Sequence, residues 1–336
     1  MSKCKYTSIG GQALIEGIMM KSPEKTAMAV RKKDGDIDIS YLNESNLRKK
    51  YKILGLPVIR GVIGFAESMI NGYKALMLSA DISGFTDLEE EEKEKKPKTE
   101  KDKKENSILI NTIMVIASVL GVALAVVLFM ALPRLIVGGL EKLFDTAFSK
   151  LARSGIEQAL KLTVFVIYVW VVSFMKDIRR TFMYHGAEHK TIFCYEKGLP
   201  LTVENVKSQI RFHPRCGTSF MILMILISVI FSTLVQIFFP AVYNLAYLWV
   251  LIKILLIPLT CGVGFEVLKI CGRYDNTLTR IISAPGLWLQ RITTKEPDDG
   301  MIEIAIAALK ACDPEIPDVE RPAEVSETEE NDNDNI

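Results

Sequence analysis

Runs of apolar residues divide this chain into long blocks separated by charged or alternating stretches. Residues 108–132 are almost unbroken Ile, Val, Leu, Ala and Met, bounded by Lys104 and Glu105 on one side and Arg134 on the other. That is enough for one bilayer crossing. A second block, 156–175, carries Lys161, whose aliphatic stem lets the ammonium reach toward the headgroups. Residues 218–261 are too long for one crossing, and Pro240 followed by Tyr243 and Asn244 marks a reversal, so this block splits into a third and a fourth helix. Four spans are expected.

Two further segments are amphipathic. Residues 57–80 are apolar enough to insert, yet Arg60, Glu67 and Lys74 recur every seven residues along one helical face. This predicts a helix lying in the interface or packed on the spans, with full insertion as the alternative. Residues 135–151 carry an apolar stripe of Ile136, Leu140, Leu143, Phe144 and Leu151, which suits an interfacial helix on the outer side or a plain surface helix.

Strand periodicity is confined to the start of the chain. Residues 26–30 and 36–41 flank a Lys33-Asp34-Gly35 turn, and Ile37 and Ile39 alternate with Asp36 and Asp38, so a β-hairpin is expected, with 12–20 pairing as a further strand. Residues 87–106 mix both charges with almost no apolar side chain and read as a flexible tether. Residues 276–311 form apolar stripes suited to docking on the membrane surface or the cytosolic core, and the acidic, Asn-rich residues 317–336 read as a disordered tail. The expected fold is an all-α polytopic membrane protein of about four transmembrane helices plus interfacial amphipathic helices, with a small cytosolic α+β portion. Its expected parts are a cytosolic segment 1–86, the linker 87–106, a membrane domain 107–272 with a cytosolic loop at 176–217, an amphipathic region 273–316 and the tail.

Composition supports that class. A hydrophobic content of 49% over 336 residues and a net charge of +1, with a mean hydropathy of +0.22, are too apolar for an ordinary soluble protein and too neutral for a nucleic-acid binder. The N-terminal MSKCKYTSIGG lacks the pattern of a secretory signal, and the six scattered cysteines announce no disulfide framework, so reduced thiols are expected. Between the second and third spans lie Lys176, Arg179, Arg180, Lys190, Lys197, Lys207, Arg211 and Arg215, against Arg134, Lys142, Lys150 and Arg153 between the first and second. The excess of positive charge assigns the former loop, and with it both termini, to the cytosol.

That loop also holds the chemistry. All three histidines of the chain fall within it. His185, Glu188 and His189 are spaced H-x-x-E-H, so on a helix two imidazoles and a carboxylate share one face. His213 and Cys216 follow as H-x-x-C on a turn beside Pro214 and Gly217. Mixed imidazole and thiolate ligands favour zinc among the divalent metals, with iron as the alternative. In an inverted zincin the histidines bind the ion and the glutamate, here Glu188, acts as general base. Were four protein ligands to close the sphere, the site would instead be a structural clamp. Glu16, a lone carboxylate in GGQALIEGIMMK, is a further candidate to complete the metal sphere or orient a histidine, the alternative being an edge-strand acid facing water. Lys253, inside the fourth apolar helix, is either a functional intramembrane charge or a snorkelling one.

The blocks GGQALIEGIMMKSPEKTAMAVRK, YHGAEHKTIFCYE, LTVENV, HPRCGTSF and PGLWLQRITTKEPDDGMIEIAIAAL resemble the YqhQ family of bacterial membrane proteins over nearly the whole chain. The resemblance implies an integral protein of the bacterial inner membrane, of a family commonly labelled a predicted metal-dependent enzyme. Its motif positions fall here on Glu16, His185, Glu188, His189, His213 and Cys216. It names no substrate. The expected function is metal-assisted hydrolysis of a membrane-associated substrate, such as a peptide or lipid-linked group. The competing expectation is a non-catalytic scaffold or assembly factor whose structural metal clamps the cytosolic part. The lipid bilayer is the expected partner, with membrane proteins or peptides and an oligomer as further ones, and no nucleic acid.

Overall fold

The computed structural model of the chain describes residues 7–42, 51–85, 116, 119–241, 245–274 and 276–313. The expected tether at 87–106 and tail at 317–336 lie outside these residues.

Four strands, β1 Gly10–Leu14, β2 Gly17–Lys21, β3 Thr26–Arg31 and β4 Ile37–Leu42, form an antiparallel meander in sequence order. The β3–β4 hairpin pairs Arg31 with Ile37 around a turn in which Gly35 has φ of +94°, a region glycine enters without steric cost. Residues 12–20 are not one strand but two, because the chain reverses at Ile15 and Glu16 and pairs Leu14 with Gly17. Glu16 takes φ of +50° to make that turn.

Because successive side chains alternate across a strand, the two inner strands supply two cores. Ile18, Met20, Ala27 and Ala29 face helices α4 Lys176–Glu196 and α9 Asp299–Cys312, meeting Tyr184, Ala187, Ile192, Ile302, Ala305 and Leu309, with Val206 of the short helix α5 Val203–Lys207 in the same core. Met19, Met28 and Val30 face helix α1 Ile59–Ile82, where Ala75 and Leu76 cover them. The sheet is thus the middle of three layers, and β4 at its edge shows the half-exposed alternation of a strand covered on one side.

Four helices among the described residues are long and apolar enough to cross a membrane: α2 Val119–Leu143, α3 Lys150–Val172, α6 Gly217–Phe238 and most of α7 Ala246–Arg273. Their outer faces leave Leu120, Trp170, Phe238 and Leu255 largely exposed, as a lipid-facing surface would. The first of them corrects the sequence reading. The helix does not stop at Arg134 but runs on to Leu143, so no separate interfacial helix forms over 135–151. A π-helical turn at Val127–Ala131 lies just before Pro133, and such a wider turn absorbs the ring that an α-helical turn would expel.

Helix α1, the amphipathic segment, is not one of the four. It packs on α7 at a close crossing where a Cβ on Gly61 would lie 3.0 Å from the Gly262 Cα, an approach that only small residues permit. Beside it Arg60 grips Glu266 with two bonds, Nε to Oε1 at 2.6 Å and Nη2 to Oε2 at 2.5 Å. The C-terminal stretch does not stand apart. Helix α8 Thr277–Thr293 lies along α6, and α9 is built into the sheet core.

Candidate metal centre

Helix α4 brings the H-x-x-E-H residues to one buried face. Its first two turns are largely exposed, whereas from Tyr184 onward it is mostly buried between sheet, α9 and the 208–216 turn. A helix rising 1.5 Å per residue places His185 and His189 one turn apart, and their rings stand with centroids 4.4 Å apart. The opposing wall is Cys216, the N-cap of α6, whose sulfur accepts from the Thr218 amide at 3.4 Å.

Each imidazole is fixed through its Nδ1. That of His185 is 2.8 Å from the Thr293 carbonyl and that of His189 is 2.5 Å from the Arg211 carbonyl. A carbonyl only accepts, so both Nδ1 atoms carry the proton and both Nε2 atoms are turned to the centre. His185 Nε2 lies 3.0 Å from Cys216 Sγ. One ligand atom each from His185, His189 and Cys216 falls within 4.8 Å of the others. Donors around a tetrahedral zinc stand roughly 3.3–3.8 Å apart, given ligand lengths of about 2.0–2.3 Å. The donor set therefore fits such an ion with a few tenths of an ångström of spreading between His185 and Cys216.

Charge is balanced within the cluster. Burial opposes protonation of His185, but the Cys216 thiolate beside it outweighs that and raises it to about 9. Burial likewise pushes the Cys216 thiol up, while His185 and His189 pull it well below its ordinary value. The result is an imidazolium–thiolate pair, the arrangement that makes a cysteine a ready metal ligand.

Glu188 is 5% exposed and lies beside the cluster without joining the three donors. Burial raises its carboxyl above the ordinary range, against the pull of His189 and His185 and of a hydrogen bond from the Gly11 amide. That contact exists because Gly11 has no side chain: a Cβ there would stand 2.9 Å from Glu188 Cδ.

Two expected ligands lie elsewhere. Glu16 is held by Arg180, whose Nη2 is 2.6 Å from Oε2, and by the Tyr184 hydroxyl at 3.1 Å, so its carboxylate is committed to docking the sheet on α4. His213 lies next to the cluster, its ring centroid 5.6 Å from that of His189, without joining the three donors. Its ring packs on Phe193, its Nδ1 accepts from the Arg215 amide at 3.3 Å, and its Nε2 is 3.8 Å from Glu196. Glu196 is also bound by Arg215 and by the Thr7 amide and hydroxyl. Burial favours the neutral form of His213, and its ring is engaged by these neighbours and not by the three converging donors.

Several supports escaped the sequence reading. Gln290, fully buried, brackets the backbone of His213, accepting from its N–H and donating to its carbonyl, both at 2.7 Å. Gly186 admits the segment that follows α8, since a Cβ there would lie 2.0 Å from the Lys295 carbonyl oxygen. The Lys295 amide in turn donates to Phe182 O at 2.8 Å, which brings the Thr293 carbonyl onto His185. Lys190 ties Glu296, at 2.6 Å, and the Lys207 carbonyl, at 2.9 Å, around the same turn. A polar Gln290 inside the apolar stripe of WLQRI was the one available sequence signal; the carbonyls and glycine contacts leave none.

Comparison with known proteins agrees with the motifs. The family model described as "Protein of unknown function (DUF1385)" matches residues 56–315. The chain is also similar to the "Uncharacterized protein YqhQ" of Bacillus subtilis (strain 168), 34% identical over 308 residues that cover 91% of this chain and 92% of that protein. No solved structure matches. With a family model over most of its length and a relative that parallels it nearly end to end, the chain belongs to the YqhQ family.

Proposed function

We propose that this protein is a membrane-embedded, metal-dependent hydrolase whose centre is His185, His189 and Cys216, with Glu188 as general base. One observation carries the reading: three soft donors converge within 4.8 Å, with both imidazoles oriented through Nδ1 by backbone carbonyls, as ligating histidines are. Two nitrogens and a thiolate suit zinc, and iron is the alternative. Three protein ligands leave a tetrahedral position open, the mark of a catalytic site. A bound zinc ion supplies a Lewis acid that polarises a carbonyl and lowers the pKa of water. Burial raises the Glu188 carboxyl above the ordinary carboxylate range, which favours its taking up a proton and handing it on to a leaving group. Gly11 holds one carboxylate oxygen and fixes its direction. By the charge asymmetry of the loops, the centre faces the cytosol at the surface of the bacterial inner membrane, and the substrate is a membrane-associated peptide or lipid-linked group.

A second reading has one observation in its favour. The three donors join α4 to the first residue of α6, and their supporting carbonyls come from two further segments, so an ion there would also clamp the fold as a structural metal does. In that case the protein is a scaffold or assembly factor.

The test is metal content by elemental mass spectrometry on detergent-purified protein beside a His185→Ala, His189→Ala variant. Near-stoichiometric metal in the wild type, lost in the variant, supports the site; a wild type that stays metal-free after reconstitution overturns it. Glu188→Gln then separates the readings, because a hydrolase loses turnover while keeping metal and fold.

A further inference from the structure

Partway along the apolar helices, α2, α3, α6 and α7 line an open cavity of about 610 Å³. Ser228, on its wall, is about 18 Å along α6 from Cys216 at 1.5 Å per residue, so the two sites are separate. Most of the lining is apolar, from residues such as Phe165 and Ile257, but it includes two ammonium groups, Lys161 and Lys253, with Gln158, Ser228, Ser232 and Thr260 around them.

The charges here are out of balance. Lys161, Arg134 and Lys253 lie close enough to repel one another, with Glu157 the carboxylate among the described residues that acts on both lysines. Glu157 is engaged by Arg153 at 3.4 Å, and Arg153 also holds Glu141 at 2.9 Å. Lys253 makes a cation–π contact with Trp249, its Nζ 5.0 Å from the ring centroid, and among the described residues neither lysine has a carboxylate within ion-pairing distance. Cations without a salt-bridge partner are costly among apolar helices, and a structure that keeps two of them beside hydroxyl and amide groups is suited to an anion. The apolar remainder of the wall describes the rest of the ligand.

We infer that this cavity binds an anionic lipid, its phosphate or carboxylate between Lys161 and Lys253 and its acyl chain along the Phe165 and Ile257 wall. The serines, Thr260 and Gln158 supply the hydrogen bonds that a phosphodiester's remaining oxygens accept. The site does not depend on the metal centre.

The experiment is a native mass-spectrometric titration of the full-length detergent-solubilised protein with phosphatidylglycerol and with phosphatidylcholine of the same acyl chains. The expected result is binding of phosphatidylglycerol at least tenfold tighter, a preference lost in Lys161→Met, Lys253→Met and kept in Lys161→Arg, Lys253→Arg. Equal affinity of the wild type for the two lipids overturns the inference and needs no variant. So does a preference undiminished in the methionine variant. Inorganic phosphate at millimolar concentration is the control for a small-anion site: displacement of the lipid by phosphate alone would overturn the lipid assignment, and no displacement supports it.

Discussion

Gly11 of the first strand lies against the carboxylate of Glu188, so closely that a methyl group at Gly11 would stand 2.9 Å from Cδ and 2.7 Å from the Met19 carbonyl oxygen. One glycine in the sheet therefore sets the position of the candidate base. Gly11→Val should displace Glu188 and overpack the junction, destabilising the protein by about 2 kcal/mol. Thermal unfolding in detergent should fall in temperature while metal content is kept, because the three donors do not touch Gly11. A variant as stable as the wild type would show that β1 does not bear on Glu188.

The donors divide sharply from their neighbours. His189→Ala and Cys216→Ser should each lower bound metal at least tenfold, whereas Glu16→Gln and His213→Ala should leave it near the wild-type value. Elemental analysis after dialysis against limiting zinc reads the difference. Metal lost in His213→Ala to the same extent as in Cys216→Ser would place His213 in the sphere.

Gly186 tests the support behind the donors. Gly186→Ala puts a methyl 2.0 Å from the Lys295 carbonyl oxygen, which must move and draw Thr293 away from His185. Loss of such an orienting bond costs about 10- to 100-fold in metal affinity, so competition with a zinc chelator should show a shift of that order with every donor still present.

Glu196 predicts a pH dependence. Burial alone would raise its carboxyl, but His213 and Arg215 hold it down at about 2. A folded value below the unfolded one, about 4.3, stabilises the protein above the unfolded value, and the contribution is lost as pH falls through the folded one. A depression of that size corresponds to about 3 kcal/mol at neutral pH. Wild type and Glu196→Gln should therefore differ in unfolding temperature at pH 7 and converge between about pH 4.5 and pH 2. A gap independent of pH would remove the ionised carboxylate from the account.

Local pattern revealed the elements whose cause is local. The spacing of His185, Glu188 and His189 placed them on one helical face, the Lys33-Asp34-Gly35 turn marked the β3–β4 hairpin, and Pro240 marked the break between α6 and α7. Where the cause is distant, the pattern misled. Glu16 is not a residue that signals a turn, so β1 and β2 read as a single strand; the ion pair with Arg180, 164 positions away, helps hold it at positive φ. Arg134 read as the end of a span, yet an exposed arginine can leave a helix intact and extend along it. His213 and Cys216 share a ligand-like spacing, but Phe193, Arg215 and Glu196 claim the histidine, and none of those contacts follows from spacing.

The Arg60–Glu266 pair has a mechanical meaning. Two parallel bonds beside a crossing of glycines fix both the rotation and the height of α1 on α7, as a key fixes a shaft. Helix α1 also supports the sheet, with Gly72 abutting the Gln12 side chain one residue beyond Gly11. Any tilt of α7 would be passed through α1 to β1, the strand whose Gly11 lies against Glu188, so the long apolar helices and the candidate base are mechanically coupled.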